Sequence, residues 1–464
     1  MTTLVPDPLA QDGIAGYGRR LRQGAITAEA ATEAYLARIA ALDPKLGAYQ
    51  HLAAEQALAT ARALDRLLAA GTALGPLMGV PVAIKDIFAV DGMPVTAGSR
   101  LEVADLIGPE GPFVRALRRA GCVILGKAKT VEFALGAVGI SQPRGTPWNP
   151  WDANIQRIPG GSSSGPAVAV AAGLCGFAIG SDTGGSVRLP AVFCGTFGHK
   201  TSGGLWPTAG VFPLSGALDT IGPLTASAAD AALVFAALTG QPVPQPAPVD
   251  GLRFGRPTRY FFDHLDSQVA QCTERALARL REAGATIVPV ELPEAPEREN
   301  YFPVALPAEL IATLGRERFA QGRAAMDPVV GARGDRGLEV LAADYLRLER
   351  RRRELCRSAA LRLEGVDGIV APTAAILPPP VADFADPAAG LRLALAITQN
   401  SQPGNLLDLC GTSTPIQGDG PLPVGLQILC PAQQDARALS IALTLEQLFG
   451  APPKPDLAGF LAQP

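Results

Sequence analysis

Between Arg157 and Pro190 the chain carries two Gly-Gly-Ser clusters, Gly160-Gly161-Ser162 and Gly184-Gly185-Ser186, and this is its densest run of residues suited to chemistry. Glycine gives up the most conformational freedom on folding, so paired glycines ahead of a serine mark backbone that must take angles or approaches a Cβ would forbid. In Thr183-Gly184-Gly185-Ser186 such a path lets several N–H groups converge beside the Ser186 hydroxyl. An oxyanion hole for acyl transfer requires that convergence. Either cluster alone reads as an ordinary glycine-rich turn; the two together point to a serine nucleophile.

A serine nucleophile needs a base. The histidines are His51, read as part of an amphipathic surface helix, His199, in a loop-like stretch, and His264, the only one flanked by carboxylates. None has the paired spacing of a catalytic zinc site, so no metal and no cofactor are expected. Lysine is the other candidate, and Lys45, Lys85, Lys127, Lys129, Lys200 and Lys454 are few beside the arginines. Lys85 closes the apolar run Val80–Ile84, so a strand would carry it inward, where desolvation lowers an amine's pKa. Moving it from about 10.4 to about 8 would cost roughly 3 kcal/mol. Strand alternation sends the neighbouring Asp86 to the opposite face. A structural salt bridge is the competing role for Lys85.

Three other patterns are set aside. Gly161-Ser162-Ser163-Ser164-Gly165 matches G-x-S-x-G, but that nucleophile elbow needs a strand before it, and Arg157-Ile158-Pro159-Gly160 reads as a loop. Gly121 to Lys127 nearly matches a P-loop, with Ala128 where the magnesium-binding hydroxyl should be. No serine or threonine stands three residues before any lysine, so the β-lactamase pattern is missing.

The elements that must position these groups read as α/β. The 464 residues can bury a sizeable core. Hydrophobic residues make up 48%, charged residues 18%, and the net charge is -3, which excludes a disordered chain and a basic nucleic-acid binder. The periodicity predicts helices over 28–41 and 52–70, then short buried strands from Met78 onward, including Val80–Ile84 and Cys122–Leu125, with a helix over Pro112–Ala120 between them. The charge-free stretch Ile158–Ser181 is long enough for a membrane span, but its glycines and small side chains favour a buried helix followed by a buried strand. The Pro-rich 240–250 is the only linker-like segment, and the βαβ rhythm resumes after it. The run Arg350–Arg353 alternates with Glu349 and Glu354, which marks an ion-paired helix face. The seven cysteines are scattered and unpaired in pattern, and no secretory signal stands at the N-terminus, so a cytoplasmic location is the default.

Gly79-Val-Pro-Val-Ala-Ile-Lys85-Asp86, Pro159-Gly-Gly-Ser162-Ser163-Ser164-Gly165 and Gly180-Ser-Asp-Thr-Gly-Gly-Ser186-Val-Arg-Leu-Pro190 together resemble the amidase signature family, in order and separation. Asn149-Pro150-Trp151-Asp152, Leu218-Asp219-Thr220-Ile221-Gly222-Pro223-Leu224 and Leu422-Pro423-Val424-Gly425-Leu426-Gln427 extend the resemblance over nearly the whole chain. It implies a single α/β/α layered domain over residues 1–464 around a large mixed β-sheet. Within it, 1–75 would supply N-terminal helices, 76–240 the signature core and 260–335 a variable, less regular substrate-side region.

The resemblance also implies a Ser-cisSer-Lys triad: Lys85 as base, Ser162 as bridge behind a cis Gly161–Ser162 peptide, and Ser186 as acylated nucleophile. The N–H groups of Thr183, Gly184, Gly185 and Ser186 would form the oxyanion hole, with Ser163, Asp182 and Arg188 in support. The chain departs from the family pattern at Gly198-His199-Lys200-Thr201-Ser202. Phe133, Gly136, Trp206, Phe212, Tyr301 and Phe302 are candidate substrate-lining residues. The expected activity is C–N bond hydrolysis in small, mostly uncharged amides, with aryl amides, carbamates (urethanes) and esters open to the same chemistry. Expected partners are that small molecule alone, with no nucleic acid and no membrane; a homodimer is permitted. The rival readings are the amidase subunit of a glutamine-dependent tRNA amidotransferase, disfavoured by the short tail after the helix 436–448, and a catalytically silent binding scaffold.

Overall fold

A computed structural model describes residues 4–416 and 420–461. In chain order its strands are β1 (Tyr49–Leu52), β2 (Pro81–Lys85), β3 (Val123–Ala128), β4 (Phe177–Asp182), β5 (Phe197–Lys200) and β6 (Thr220–Thr225). They are followed by β7 (Arg253–Pro257), β8 (Thr286–Val290), β9 (Gly368–Pro372), β10 (Cys410–Pro415) and β11 (Gly425–Cys430). All eleven join one sheet in the order β1-β3-β2-β4-β6-β5-β10-β11-β9-β7-β8. The β2 pairs with β3 and β4 are parallel, as are those of β7 with β8 and β9; the others are antiparallel. The sheet is therefore mixed, and helices layered over it give the α/β/α arrangement.

The centre of the sheet explains the apolar runs. Every residue of β2, β3 and β4 is buried. Strands covered on both faces lose the polar alternation of a half-exposed strand and read as continuous Val, Ile and Ala. The uncharged stretch resolves as expected into a buried helix, Ser164–Ala171, and then β4. Among the described residues no helix is long and apolar enough to cross a membrane. The Pro-rich segment does not end the sheet: the helix Ala228–Thr239 stops at Gly240, whose φ of +73° suits only glycine without strain, and β7 then pairs with β9 and β8.

Several expectations need correction. His51 lies in edge strand β1, which pairs with β3, and the following helix starts only at Ala54. A four-residue strand has too few side chains to show a period, and the alanine-rich flanks hid it. The stretch around His199 is strand β5, fully buried, and the glycine inside it, Gly198, made it look like a loop. The region 260–335 is mostly helical, with helices Arg298–Leu314, Arg316–Gly322 and Pro328–Gly337. Pro303 and Pro307 sit inside the first of these, and such residues normally read as helix breakers. The first helix, Gly13–Arg22, escaped sequence reading, and the second runs Ala28–Leu46, capped by the Thr27 hydroxyl and closed by Gly47 at φ +61°.

The Arg-rich helix is Ala342–Arg362, and its arginines pair as read: Arg351 with Glu297 and Glu354, Arg352 with Glu349. All seven cysteines are free thiols, six of them buried.

Candidate active site

The last residue of β2 is Lys85, which the strand delivers to the interior with no exposed surface. Its Nζ lies 2.7 Å from Ser162 Oγ and 2.8 Å from Ser181 Oγ, both hydrogen bonds, and among the described residues no carboxylate touches it. Burial is the main cause that draws its pKa down, to about 7; Asp219 and Asp182 act in the opposite direction from farther away. Asp86, one residue on, points to the other face and pairs with Lys127 at 2.8 Å. The salt-bridge role considered for Lys85 thus belongs to Lys127.

Ser162 follows the cis Gly161–Ser162 peptide. Its carbonyl accepts from Val131 N at 3.2 Å and from Thr130 Oγ1 at 3.0 Å, so the loop after β3 grips it from behind. Ser163 sits just before the helix Ser164–Ala171, after a loop rather than a strand, so the elbow pattern fails on structure as it did on sequence. Its hydroxyl bridges to β4, donating to Ser181 O at 3.2 Å and accepting from Ser181 N at 3.3 Å. Ser163 therefore ties the Ser162 loop to the strand that presents the Ser186 turn.

Ser186 lies in the turn between β4 and the helix Arg188–Cys194, and is 4% exposed. Its carbonyl accepts from Ser163 N at 3.3 Å, which joins the two serine loops through the backbone. No hydrogen bond links its hydroxyl to Ser162 in this structure. Catalytic hydrogen bonds are often long until substrate is in place, so the gap leaves a relay geometrically open.

The N–H groups of the turn Thr183–Ser186, the expected oxyanion hole, are unequal. Gly185 N donates to Asp182 Oδ1 at 2.7 Å, and a Cβ there would meet Ser401 Oγ at 2.3 Å, at a φ of +111°. The N–H groups of Thr183, Gly184 and Ser186 find no acceptor among the described residues, so these three are the ones free to face a substrate oxygen.

Asp182 and Arg188 form the expected brace. Asp182 takes the Val187 and Gly185 N–H groups, the Arg188 guanidinium at 3.2 Å and Asn405 Nδ2 at 2.8 Å. Burial alone would raise its pKa, but Arg188, Lys200 and Asn405 outweigh it and hold the carboxyl well below the usual carboxylate range. Arg188 continues to Asn405 Oδ1 at 2.6 Å and Gln427 Oε1 at 3.1 Å, binding the turn to the far side of the sheet. Behind Thr183, the Asp219 carboxylate accepts from its hydroxyl at 2.6 Å.

The six aromatic and glycine candidates separate. Phe302 comes to the site: its ring lies 3.1 Å from where a Cβ on Gly184 would be. Gly136 is adjacent too, its carbonyl 3.0 Å from the corresponding position on Gly161. Phe133 and Phe212 stack on each other at 5.3 Å, both nearly or fully buried. Trp206 packs on Phe113 at 5.1 Å and Tyr301 bonds Glu349, so neither is brought to the serines by these contacts. Ser181, Asn405 and Gln402 were missed by sequence reading. Ser181 carried one usable signal, the alternation that puts it on a different face of β4 from Asp182; the other two come from the far end of the chain, with none. His199, placed by the sequence in a loop-like stretch, is fully buried in β5 with Nε2 3.2 Å from Asp435.

The family model described as Amidase matches residues 30–439. The 2-amino-5-chloromuconic acid deaminase of Comamonas testosteroni is 38% identical over 94% of this chain and 96% of its own length. A glutamyl-tRNA(Gln) amidotransferase subunit from Moorella thermoacetica is 35% identical over 92% of this chain and 94% of its own length. Among solved structures, the native peptide amidase of Stenotrophomonas maltophilia superposes with a TM-score of 0.84 at 30% identity, covering 98% of this chain and all of that one. With the family matched over most of its length and the fold shared with solved members, the chain belongs to the amidase signature family and is an amidase-type C–N hydrolase.

Proposed function

We propose that the protein hydrolyses small, mostly uncharged amides through an acyl-enzyme on Ser186, with Ser162 as proton bridge and Lys85 as neutral base. The observation that carries this reading is the environment of Lys85: a fully buried amine hydrogen-bonded, among the described residues, to two hydroxyls, with its pKa pulled to about 7. An amine poised near neutrality can take a proton at working pH, where an ion-paired lysine cannot. Ser186 attacks the carbonyl as Ser162 passes its proton to Lys85. Backbone N–H groups of Thr183, Gly184 and Ser186 hold the oxyanion, and the relay returns the proton to the leaving amine. Water then cleaves the ester by the same path in reverse.

Beside Gly184 the Phe302 ring supplies an apolar surface with the Gln402 stem next to it, which supports uncharged acyl or aryl groups and leaves carbamates and esters as chemically equivalent substrates. The similarity to the amidotransferase subunit favours a second reading, in which the same chemistry releases ammonia from glutamine inside a complex. Turnover of a simple amide by the isolated chain separates the two. The test of the chemistry is intact mass after exposure to a fluorophosphonate, with peptide mapping of the adduct. A single adduct on Ser186, lost in Ser186→Ala, is the expected result; labelling elsewhere, or none alongside full amide turnover, would sink the proposal.

A further inference from the structure

We propose that Gln402 is a specificity residue whose side-chain Nε2 donates a hydrogen bond to an acceptor oxygen carried by the substrate close to its scissile carbonyl. This deepens the serine-hydrolase reading and rests on it.

Gln402 opens the short helix Gln402–Leu406, far along the chain from the signature core, and folds back onto the oxyanion loop. Its Cγ lies 3.5 Å from where a Cβ on Gly184 would stand, beside the Phe302 ring at 3.1 Å from the same point. The two side chains therefore border the same face of Gly184, one flat and apolar, the other polar. The neighbouring Ser401 hydroxyl donates to the Gly184 carbonyl at 3.0 Å, which fixes this segment to the loop.

The orientation of the carboxamide follows from its partner. Arg298 Nη1 lies 2.8 Å from Gln402 Oε1. A guanidinium has only donors, so the amide must turn its oxygen to Arg298 and its NH2 away. Arg298 cannot release that grip cheaply. It is 3% exposed, and its remaining N–H groups go to Tyr260 Oη at 2.5 Å, Thr398 Oγ1 at 2.8 Å, Leu395 O at 3.2 Å and Glu299 Oε1 at 3.5 Å. Flipping the amide would set NH2 against N–H.

The outward Nε2 finds no acceptor among the described residues, and Gln402 is half-buried. A partly desolvated donor that is held in place and left without a protein partner favours a ligand that supplies the acceptor. It also penalises an analogue that lacks one, because binding then strips water from the donor and returns nothing. The implied substrate class is an amide or carbamate with a flat or apolar group against Phe302 and a second carbonyl or comparable oxygen within reach of Gln402.

The test uses two matched substrate pairs. On the acyl side these are the p-nitroanilides of N-acetylglycine and of pentanoic acid. On the amine side they are the butyryl amides of glycine methyl ester and of n-butylamine. Wild type is expected to prefer the acceptor-bearing member of at least one pair in kcat/KM. Gln402→Leu should cut that preference about two- to tenfold, mostly through KM. Gln402→Glu keeps a partner for Arg298 while turning the donor into an acceptor, and should cut it further, at least about tenfold, with melting temperature as the check on folding. An unchanged preference ratio in both variants, an equal loss on both members of each pair, or no preference in wild type overturns the inference. Ser186→Ala on the same four compounds tests the underlying chemistry separately: retained turnover there would defeat that reading whatever the ratios show.

Discussion

Lys85 on β2 and Lys127 on β3 are both fully buried on neighbouring parallel strands, yet they face opposite layers of the sheet. The register sets Ile84 opposite Lys127 and Lys85 opposite Ala128, so strand alternation sends the two amines apart. On one face Lys127 meets the Asp86 carboxylate at 2.8 Å and the Pro94 carbonyl at 3.2 Å. On the other, Lys85 meets Ser162 and Ser181 and, among the described residues, nothing charged within hydrogen-bonding distance. Burial lowers the pKa of both, but Asp86 acts directly against that for Lys127. The comparison teaches that burial alone does not make a base. What matters is whether the partner is an anion that keeps the ammonium or a hydroxyl that lets the proton leave.

The largest effect should come from Lys85→Met. Amide turnover is expected to fall about 10²- to 10⁴-fold, the usual contribution of general base catalysis, while the protein stays folded. In the wild type, kcat/KM should rise with pH through about 7 as the amine loses its proton. Near-normal activity in the variant would erase the functional half of the comparison.

Lys127→Met should do the reverse and cost stability, about 3 to 5 kcal/mol in denaturant unfolding, because it strands a buried carboxylate. The double variant Lys127→Met with Asp86→Leu should recover much of that loss, since a buried pair replaced whole by apolar groups is often close to neutral. A single variant as stable as wild type would show that the ion pair is not what holds that face.

A subtler contrast lies in pH-dependent stability. Lys85 has a folded pKa below its unfolded value near 10.5, so the unfolded chain binds more protons between them. Wild type is therefore destabilised by this group as pH falls from about 10 toward 7, and Lys85→Met escapes that loss. The stability gap in favour of the variant should grow through that window and level off below it. A gap independent of pH would mean the amine is not neutral in the folded state. The smallest effect is expected from Ser181→Ala, which removes one hydroxyl from Lys85 and should change kcat/KM by about tenfold or less.

Much of this was legible in the chain because the chemistry is concentrated. The strand ending in Lys85 and the two glycine-serine clusters are local patterns, and local patterns survive without coordinates. Elements with short or mixed signals did not. β1 and β5 have four residues each, too few for a period, and the helix Arg298–Leu314 hides behind two prolines. The substrate side was least legible: of six proposed lining residues, contacts bring Phe302 and Gly136 to the serine loops, while Trp206 packs on Phe113 and Tyr301 meets the site only through the edge of Phe302. Aromatic residues look alike in a sequence whether they fill a core or line a pocket.

The strand that buries Lys85 and the glycine-serine clusters at Ser162 and Ser186 are local patterns of the sequence, and the proposed roles of base, bridge and nucleophile came with the family resemblance those patterns carry. Only the tertiary structure decided what those groups meet. It gave Asp86 to Lys127 and left Lys85 among hydroxyls, committed the Gly185 N–H to Asp182, and brought Gln402 and Asn405 from the far end of the chain to the oxyanion loop. The reason is that a hydrogen-bond partner is chosen by proximity in space. Sheet register and long-range packing set that proximity, and neither is written at any one place along the chain.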